Sequence, residues 1–234
     1  MYKICTNCVM DTSAPKIVFD KNGVCEYCNN YHNNISKFWT PEGLGIDNFE
    51  KVANRIKKES VGKGSHNCII GVSGGADSSY LLHISKKKFG LNPLVFHVDA
   101  GWNSKISVNN IEKLIDGLNL DLYTEVVNWN EMRDLQLSFF KAQVPHLDAP
   151  QDHVFFASLY NFAVKHNFKY ILTGANFSTE LIREPLDWIY HASDLRQLKA
   201  IHKKFGKIKL KTFPTSDIFK FKIIYKYIKK MEVV

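Results

Sequence analysis

The run Cys68-Ile69-Ile70-Gly71-Val72-Ser73-Gly74-Gly75-Ala76-Asp77-Ser78-Ser79 decides how this chain is read. Its first residues form a short apolar segment, which predicts a buried strand over 68–72. Residues 77–89 read as a helix ended by Gly90. Between the two, Gly74 and Gly75 let the backbone pass close to an anion with no Cβ in the way. The helix start adds unpaired N–H groups and the positive end of the helix dipole. Ser73, Ser78 and Ser79 add hydroxyl donors, and the sum is a cradle for pyrophosphate. The loop lacks the Gly-Lys-Ser/Thr ending of a Walker A motif and the third glycine of a dinucleotide fingerprint.

Outward from this loop the chain alternates. Strands are expected over 93–98, 122–127 and 170–173, and helices over 104–118, 130–143 and 152–166. Ile111, Leu114, Ile115 and Leu118 share one face of the second helix, and Phe155, Leu159, Phe162 and Ala163 one face of the last. Such alternation predicts right-handed crossovers and an α/β fold: a mostly parallel, Rossmann-like sheet between two helical layers, in strand order 3-2-1-4. Upstream, Phe49, Val52, Ala53 and Ile56 carry helical spacing. Downstream, 194–205 reads as a helix and 208–213 as either strand or loop. Residues 216–230 are apolar on too many faces for a free surface helix and call for a partner surface.

Four of the five cysteines form two C-x-x-C pairs, Cys5/Cys8 and Cys25/Cys28, 16 residues apart. The chain has no signal-peptide pattern and no run of about 20 apolar residues, so a cytosolic location without a membrane span is expected. Disulfides are disfavoured there, so the pairs read as a closed tetrahedral site for structural Zn²⁺. Cys68 reads as a small buried hydrophobe. The organisation expected is a metal module over 1–33, a linker and helix over 34–66, and a nucleotide-binding domain over 67–234, truncated or not at its C-terminus. With 234 residues and 45% hydrophobic content the chain can bury a core. Its net charge of +8 sits in the tail: 199–234 holds 11 Lys and two acids. Without Arg, that tail reads as a solvated face rather than a nucleic-acid surface.

Ser73-Gly74-Gly75-Ala76-Asp77-Ser78 resembles the PP-loop of the ATP pyrophosphatases. Flanking segments resemble the N-acetyl sugar amidotransferases within that superfamily: 10–13, 17–20, 23–28, 150–153, Leu159-Tyr160, 172–176 and Thr179-Glu180. The resemblance implies a PP-loop domain of the HUP-like type. It also implies an activity: ATP adenylates the acetamido carbonyl of a nucleotide-linked N-acetyl sugar, and ammonia converts it to an acetamidino group. The setting implied is bacterial surface-polysaccharide, O-antigen or flagellar-sugar synthesis, with ammonia from separate glutaminase and cyclase-like subunits.

By the same resemblance, Ser73, Gly74, Gly75, Ser78 and Ser79 bind the β- and γ-phosphates of ATP. Asp77 orients the loop, caps the helix or helps hold Mg²⁺. His97, Asp99 and Gly101 end the second strand, in the crevice where ligands of such sheets bind, and are expected by the nucleotide; for His97 an ordinary strand-end histidine is the other reading. Across the same crevice, Thr173, Gly174 and Asn176 end the fourth strand and are expected to meet the α-phosphate or the amide; Asp152 reads either as a substrate or Mg²⁺ contact or as a helix N-cap. Glu180 and Arg183 are weaker candidates for the sugar. Trp102 and Trp188 are expected to pack. Two other readings stay open: a tRNA 2-thiolation enzyme, and a truncated nucleotide-binding protein without catalysis.

Overall fold

The strand expected ahead of the glycine loop is β1, Cys68–Gly71, and the computed structural model places it at the centre of a five-stranded sheet. The structure describes residues 1–38, 44–62, 64–175 and 194–234. Around β1 lie β2 (Pro93–Asp99), β3 (Leu122–Val126), β4 (Tyr170–Leu172) and β5 (Glu232–Val233), in order β3-β2-β1-β4-β5, all parallel. The expected order 3-2-1-4 is therefore present, with one strand added. β5 is only two residues long, too short to carry an alternation in the sequence.

The helices follow the strands: α3 (Ala76–Lys87), α4 (Lys105–Leu118), α5 (Trp129–Ala142) and α6 (Ala149–Lys165), with α7 (Leu195–Phe205) after them. The chain steps outward from β1 to β2 to β3 through α3 and α4. It then returns across β1 to β4 through α5 and α6. Right-handed crossovers in opposite directions put the two helix pairs on opposite faces, which gives three layers. Side chains alternate across the pleat. Ile69, Phe96, Val98 and Ile171 join Met132, Leu135, Phe139, Val154 and Leu198 in one buried cluster. Cys68, Ile70, Val95 and Leu172, out of phase with those and also buried, belong to the α3–α4 side.

The tail resolves two open expectations. Residues 208–213 form no strand, because two carboxylates of α5 take their N–H groups. Glu131 accepts from the Thr212 and Phe213 amides (3.0 and 2.8 Å), and Asp134 from Lys207 and Ile208 (2.9 and 3.0 Å). Lys220–Ile228 is a π-helix. Its partner surface lies in the same unit: Tyr225 is buried, its ring lies tilted against that of Tyr160 (5.4 Å) and its hydroxyl donates to Asn161 Oδ1 at 2.8 Å. Phe219, Tyr227 and Ile228 stay more than 60% exposed.

Two compact units emerge, the first running to Val52, the second comprising Ala53–Ala175 and the C-terminal residues to Val234. In the first, two antiparallel bridges, Ile4 with Asp11 and Phe19 with Cys25, form the frame of the cysteine module. A turn at Asn22-Gly23 leads into the second cysteine pair: Asp20 accepts from the amides of Asn22 and Val24, and Gly23 has φ +80°. Helix α1, Glu26–Asn30, starts at Cys25. Helix α2, Leu44–Glu59, contributes buried Ala53 and Ile56 to the second unit. No described helix is long and apolar enough to cross a membrane.

Candidate active site and metal centre

Parallel strands end together, and β1 is the point where the connections part to left and right. Ligands of open α/β sheets bind in the crevice at such a point. Three segments leave that edge: 72–75 from β1, 99–104 from β2 and 173–175 from β4.

The glycine loop is held from both sides. Gly74 has φ +77°, and a Cβ there would lie 2.4 Å from the Ser107 carbonyl oxygen at the start of α4. Asn110, one turn further along α4, donates its side-chain amide to the Gly74 carbonyl at 3.1 Å. From the other side comes Gly174, where a Cβ would fall 2.8 Å from the Ser78 amide nitrogen. Only a glycine lets the backbone after β4 come so near the first turn of α3. Gly75 is the N-cap of α3 and places no side chain over the helix start, where the N–H groups and the positive dipole end favour an anion. The Ser73 hydroxyl accepts from the Gly75 amide (3.4 Å) and lies 3.4 Å from the Ser78 hydroxyl. An open groove of about 460 Å³ runs beside the loop, lined by Gly74, Gly75, Ala76, Ser79, Asn110 and Lys113.

His97 is largely buried and both its ring nitrogens are engaged within the protein. Nδ1–H donates to the Val72 carbonyl (2.9 Å) and Nε2 accepts from Asn103 (3.0 Å). It ties β2 to the residue before the loop, so its part at the site is to hold the loop rather than to offer a nitrogen to a nucleotide. Asp99 accepts from the Gly101 amide at 2.9 Å. Gly101 has φ +86° and abuts Trp129, where a Cβ would sit 2.4 Å from the ring. Trp129 in turn meets Trp102 edge-on at 5.1 Å, the packing role expected of Trp102. The Thr173 hydroxyl accepts from the Ala175 amide at 3.4 Å. Asn176, Thr179, Glu180, Arg183 and Trp188 lie outside the described residues.

Asp152 belongs to the first turns of α6, whose N-cap is Asp148. β4 follows α6 after a short link, so α6 runs antiparallel to the strands and opens at their C-terminal edge. Leu159, two turns on, lies 3.5 Å from where a Gly71 Cβ would be. The fold thus brings Asp152 to the same edge of the sheet as the loop. Burial pushes its carboxyl above the usual range; His146, with Nε2 at 3.3 Å, works against this and Asp148 adds to it. His146, Asn110 and Ser107 are absent from the sequence reading. Ser107 and Asn110, with Lys113, form an i, i+3, i+6 polar stripe on α4, a signal masked by the apolar stripe beside it.

The four cysteines of the module lie with all Sγ atoms within 4.8 Å of one another. Zn–S bonds of about 2.3 Å in a tetrahedron require sulfurs about 3.8 Å apart, and Cys8 and Cys25 stand at 3.6 Å. Amides of Asn7 and Cys25 donate to Cys5 Sγ (3.4 and 3.2 Å), and that of Met10 to Cys8 Sγ (3.5 Å). Burial works to raise the Cys5 thiol, but these donors bring it down to about 6; burial pushes Cys8 up to about 12. Four crowded sulfurs resist ionising together unless a cation sits among them. The donor set and spacing fit Zn²⁺. In the second unit burial pushes Cys68 up to about 12, which suits an inert core residue.

No known protein-family model matches the chain. An uncharacterised protein of Methanocaldococcus jannaschii is 30% identical over 122 residues, half of this chain and 40% of that protein. The chain therefore spans about two fifths of that relative's length. Among solved structures, it resembles the NH3-dependent NAD synthetase of Campylobacter jejuni (TM-score 0.42, 19% identity, 66% of this chain and 70% of the other). It also resembles the NMN synthetase of Francisella tularensis (TM-score 0.42, 14% identity, 79% and 86%).

Proposed function

We propose that this chain carries the PP-loop of an ATP pyrophosphatase and that its reaction is the ATP-dependent amidation of an amide. The substrate we assign is a nucleotide-linked N-acetyl sugar of bacterial surface-polysaccharide or flagellar-sugar synthesis. The observation that carries the first step is the loop at Ser73–Ser79, clamped between α4 and Gly174 at the parting point of the sheet. The finer assignment of substrate rests on the sequence resemblance.

An amide carbonyl is a poor electrophile and its oxygen a poor leaving group. Attack of that oxygen on the α-phosphorus forms an O–P bond and releases pyrophosphate. Ammonia then adds to the carbon, the C–O bond breaks, and the original amide oxygen departs in AMP. The chain's part is positioning and charge stabilisation. First-turn amides of α3 and the hydroxyls of Ser73, Ser78 and Ser79 receive the β- and γ-phosphates. Asp99 and Gly101 are assigned to the nucleotide, and Thr173, Gly174 and, by its place in the sequence, Asn176 to the amide. Asp77 and Asp152 would hold Mg²⁺, which supplies neutralisation of the departing pyrophosphate. No protein nucleophile is required, and ammonia would come from a partner glutaminase with a cyclase-like subunit.

The test supplies ATP, Mg²⁺ and ammonium chloride with a panel of nucleotide-linked N-acetyl sugars and, separately, bulk tRNA. The expected result is a sugar product about one mass unit lighter, since NH replaces O in effect, formed by the wild type and abolished in Asp77→Ala. Turnover with tRNA alone would overturn the sugar assignment in favour of RNA modification.

A further inference from the structure

The glycine loop carries no cation. Residues 71–79 hold one charged side chain, Asp77, so the loop itself opposes the charge of the phosphates it is proposed to hold. Backbone amides and hydroxyls can bind a phosphate, but a nucleotide triphosphate also needs counter-charge close by. Lysine is the usual point charge for this task, and in a Walker A loop it lies within the loop.

Among the described residues, the groove beside the loop has one charged lining residue, Lys113. It projects from α4, not from the loop. Ser107, Asn110 and Lys113 fall at i, i+3 and i+6, so they share a face of that helix. The first two fix the loop. The Ser107 backbone packs where a Gly74 Cβ would be, and Asn110 donates to the Gly74 carbonyl at 3.1 Å. The register that locks α4 to the loop therefore also sets Lys113 over Gly75 and Ser79, which line the same groove. The lysine is exposed and long enough to reach an anion there while its stem stays in the groove. α4 is itself anchored: the Ser104 side chain caps it by accepting from the Ser107 amide at 3.0 Å.

We infer that Lys113 of α4 is the cation that binds the pyrophosphate portion of ATP, in place of a lysine within the loop. The inference rests on the proposed ATP site and adds to it a residue from outside the motif. A single charged contact to phosphate, once lost, weakens binding about tenfold or more. The nucleoside end of ATP is served by other segments, so AMP should bind without regard to Lys113.

The experiment measures equilibrium binding of α,β-methylene-ATP, inorganic pyrophosphate and AMP to wild type, Lys113→Gln and Lys113→Arg, each with Mg²⁺ at low and at moderate salt. The expected result is about a tenfold loss of the analogue and of pyrophosphate in Lys113→Gln. AMP affinity should be unchanged, Lys113→Arg should recover most of the loss, and the deficit should shrink as salt rises. Equal binding of the analogue by wild type and Lys113→Gln would overturn the inference and leave the ATP site standing. A parallel loss of AMP would also overturn it, by showing a structural defect. A wild type that binds neither analogue nor pyrophosphate would overturn the ATP site, and the inference with it.

Discussion

Gly74 and Gly174 are the two residues on which the cradle's shape depends. At Gly74 a Cβ meets the Ser107 backbone and the backbone sits at φ +77°, so neither rotation nor side-chain adjustment relieves the contact. Gly74→Ala should destabilise the protein by about 1–3 kcal/mol, the usual range for such a strained residue, and should abolish ATP binding. Gly174→Ala meets the first turn of α3 rather than α4. It should displace the start of α3, with loss of pyrophosphate release and a lowered melting temperature, because the atoms it meets are backbone. Isothermal calorimetry with an ATP analogue, beside a thermal melt, reads both. The glycines of the loop were legible in the sequence because their motif announces them. His97 was legible as a histidine at a strand end and was expected beside the nucleotide, which its two internal hydrogen bonds correct. That both its nitrogens are spent on Val72 and Asn103 needed the fold, since Asn103 lies beyond the turn at Gly101.

At the scale of elements, α5 does unexpected work for a helix with so many polar residues. Glu131 and Asp134 are buried, and burial would raise both carboxyls; the amide donors from 207–213 outweigh it and hold them below the usual range. A group lowered in the folded state contributes stability that is present above its unfolded pKa and is lost as pH falls through the folded one. With unfolded values of about 4, the tail segment should loosen as pH drops below that point. Glu131→Ala should cost about 2–3 kcal/mol, the penalty of buried donors left without partners. Chemical denaturation of the variant at neutral pH checks the magnitude, and a stability profile from pH 7 to 3 checks the sign. The helices and strands of the sheet were readable because their apolar spacing is dictated by one buried face each. The 208–213 segment was not, because its hydrogen-bond partners are side chains 74 to 82 residues away. β5 was not either, since two residues carry no period.

At the scale of the whole molecule, the chain joins a four-cysteine module to a three-layer α/β unit with a glycine loop at its parting point. The module should bind one Zn²⁺ per chain. Cys8→Ser should lower that stoichiometry, and a strong chelator should remove structure from the first unit while the sheet of the second keeps its cooperative melt. Metal analysis together with hydrogen exchange distinguishes the two regions. The second unit is where the account makes its chemical commitment: the loop should direct attack to the α-phosphorus, so that ATP ends as AMP. The most direct measurement is the identity of the ATP products, followed by phosphorus NMR on the protein with Mg²⁺, ammonium and the panel of nucleotide-linked N-acetyl sugars. The account predicts AMP and pyrophosphate in equal amounts, dependent on the amide substrate and absent in Asp77→Ala. ADP and inorganic phosphate as the products would contradict it.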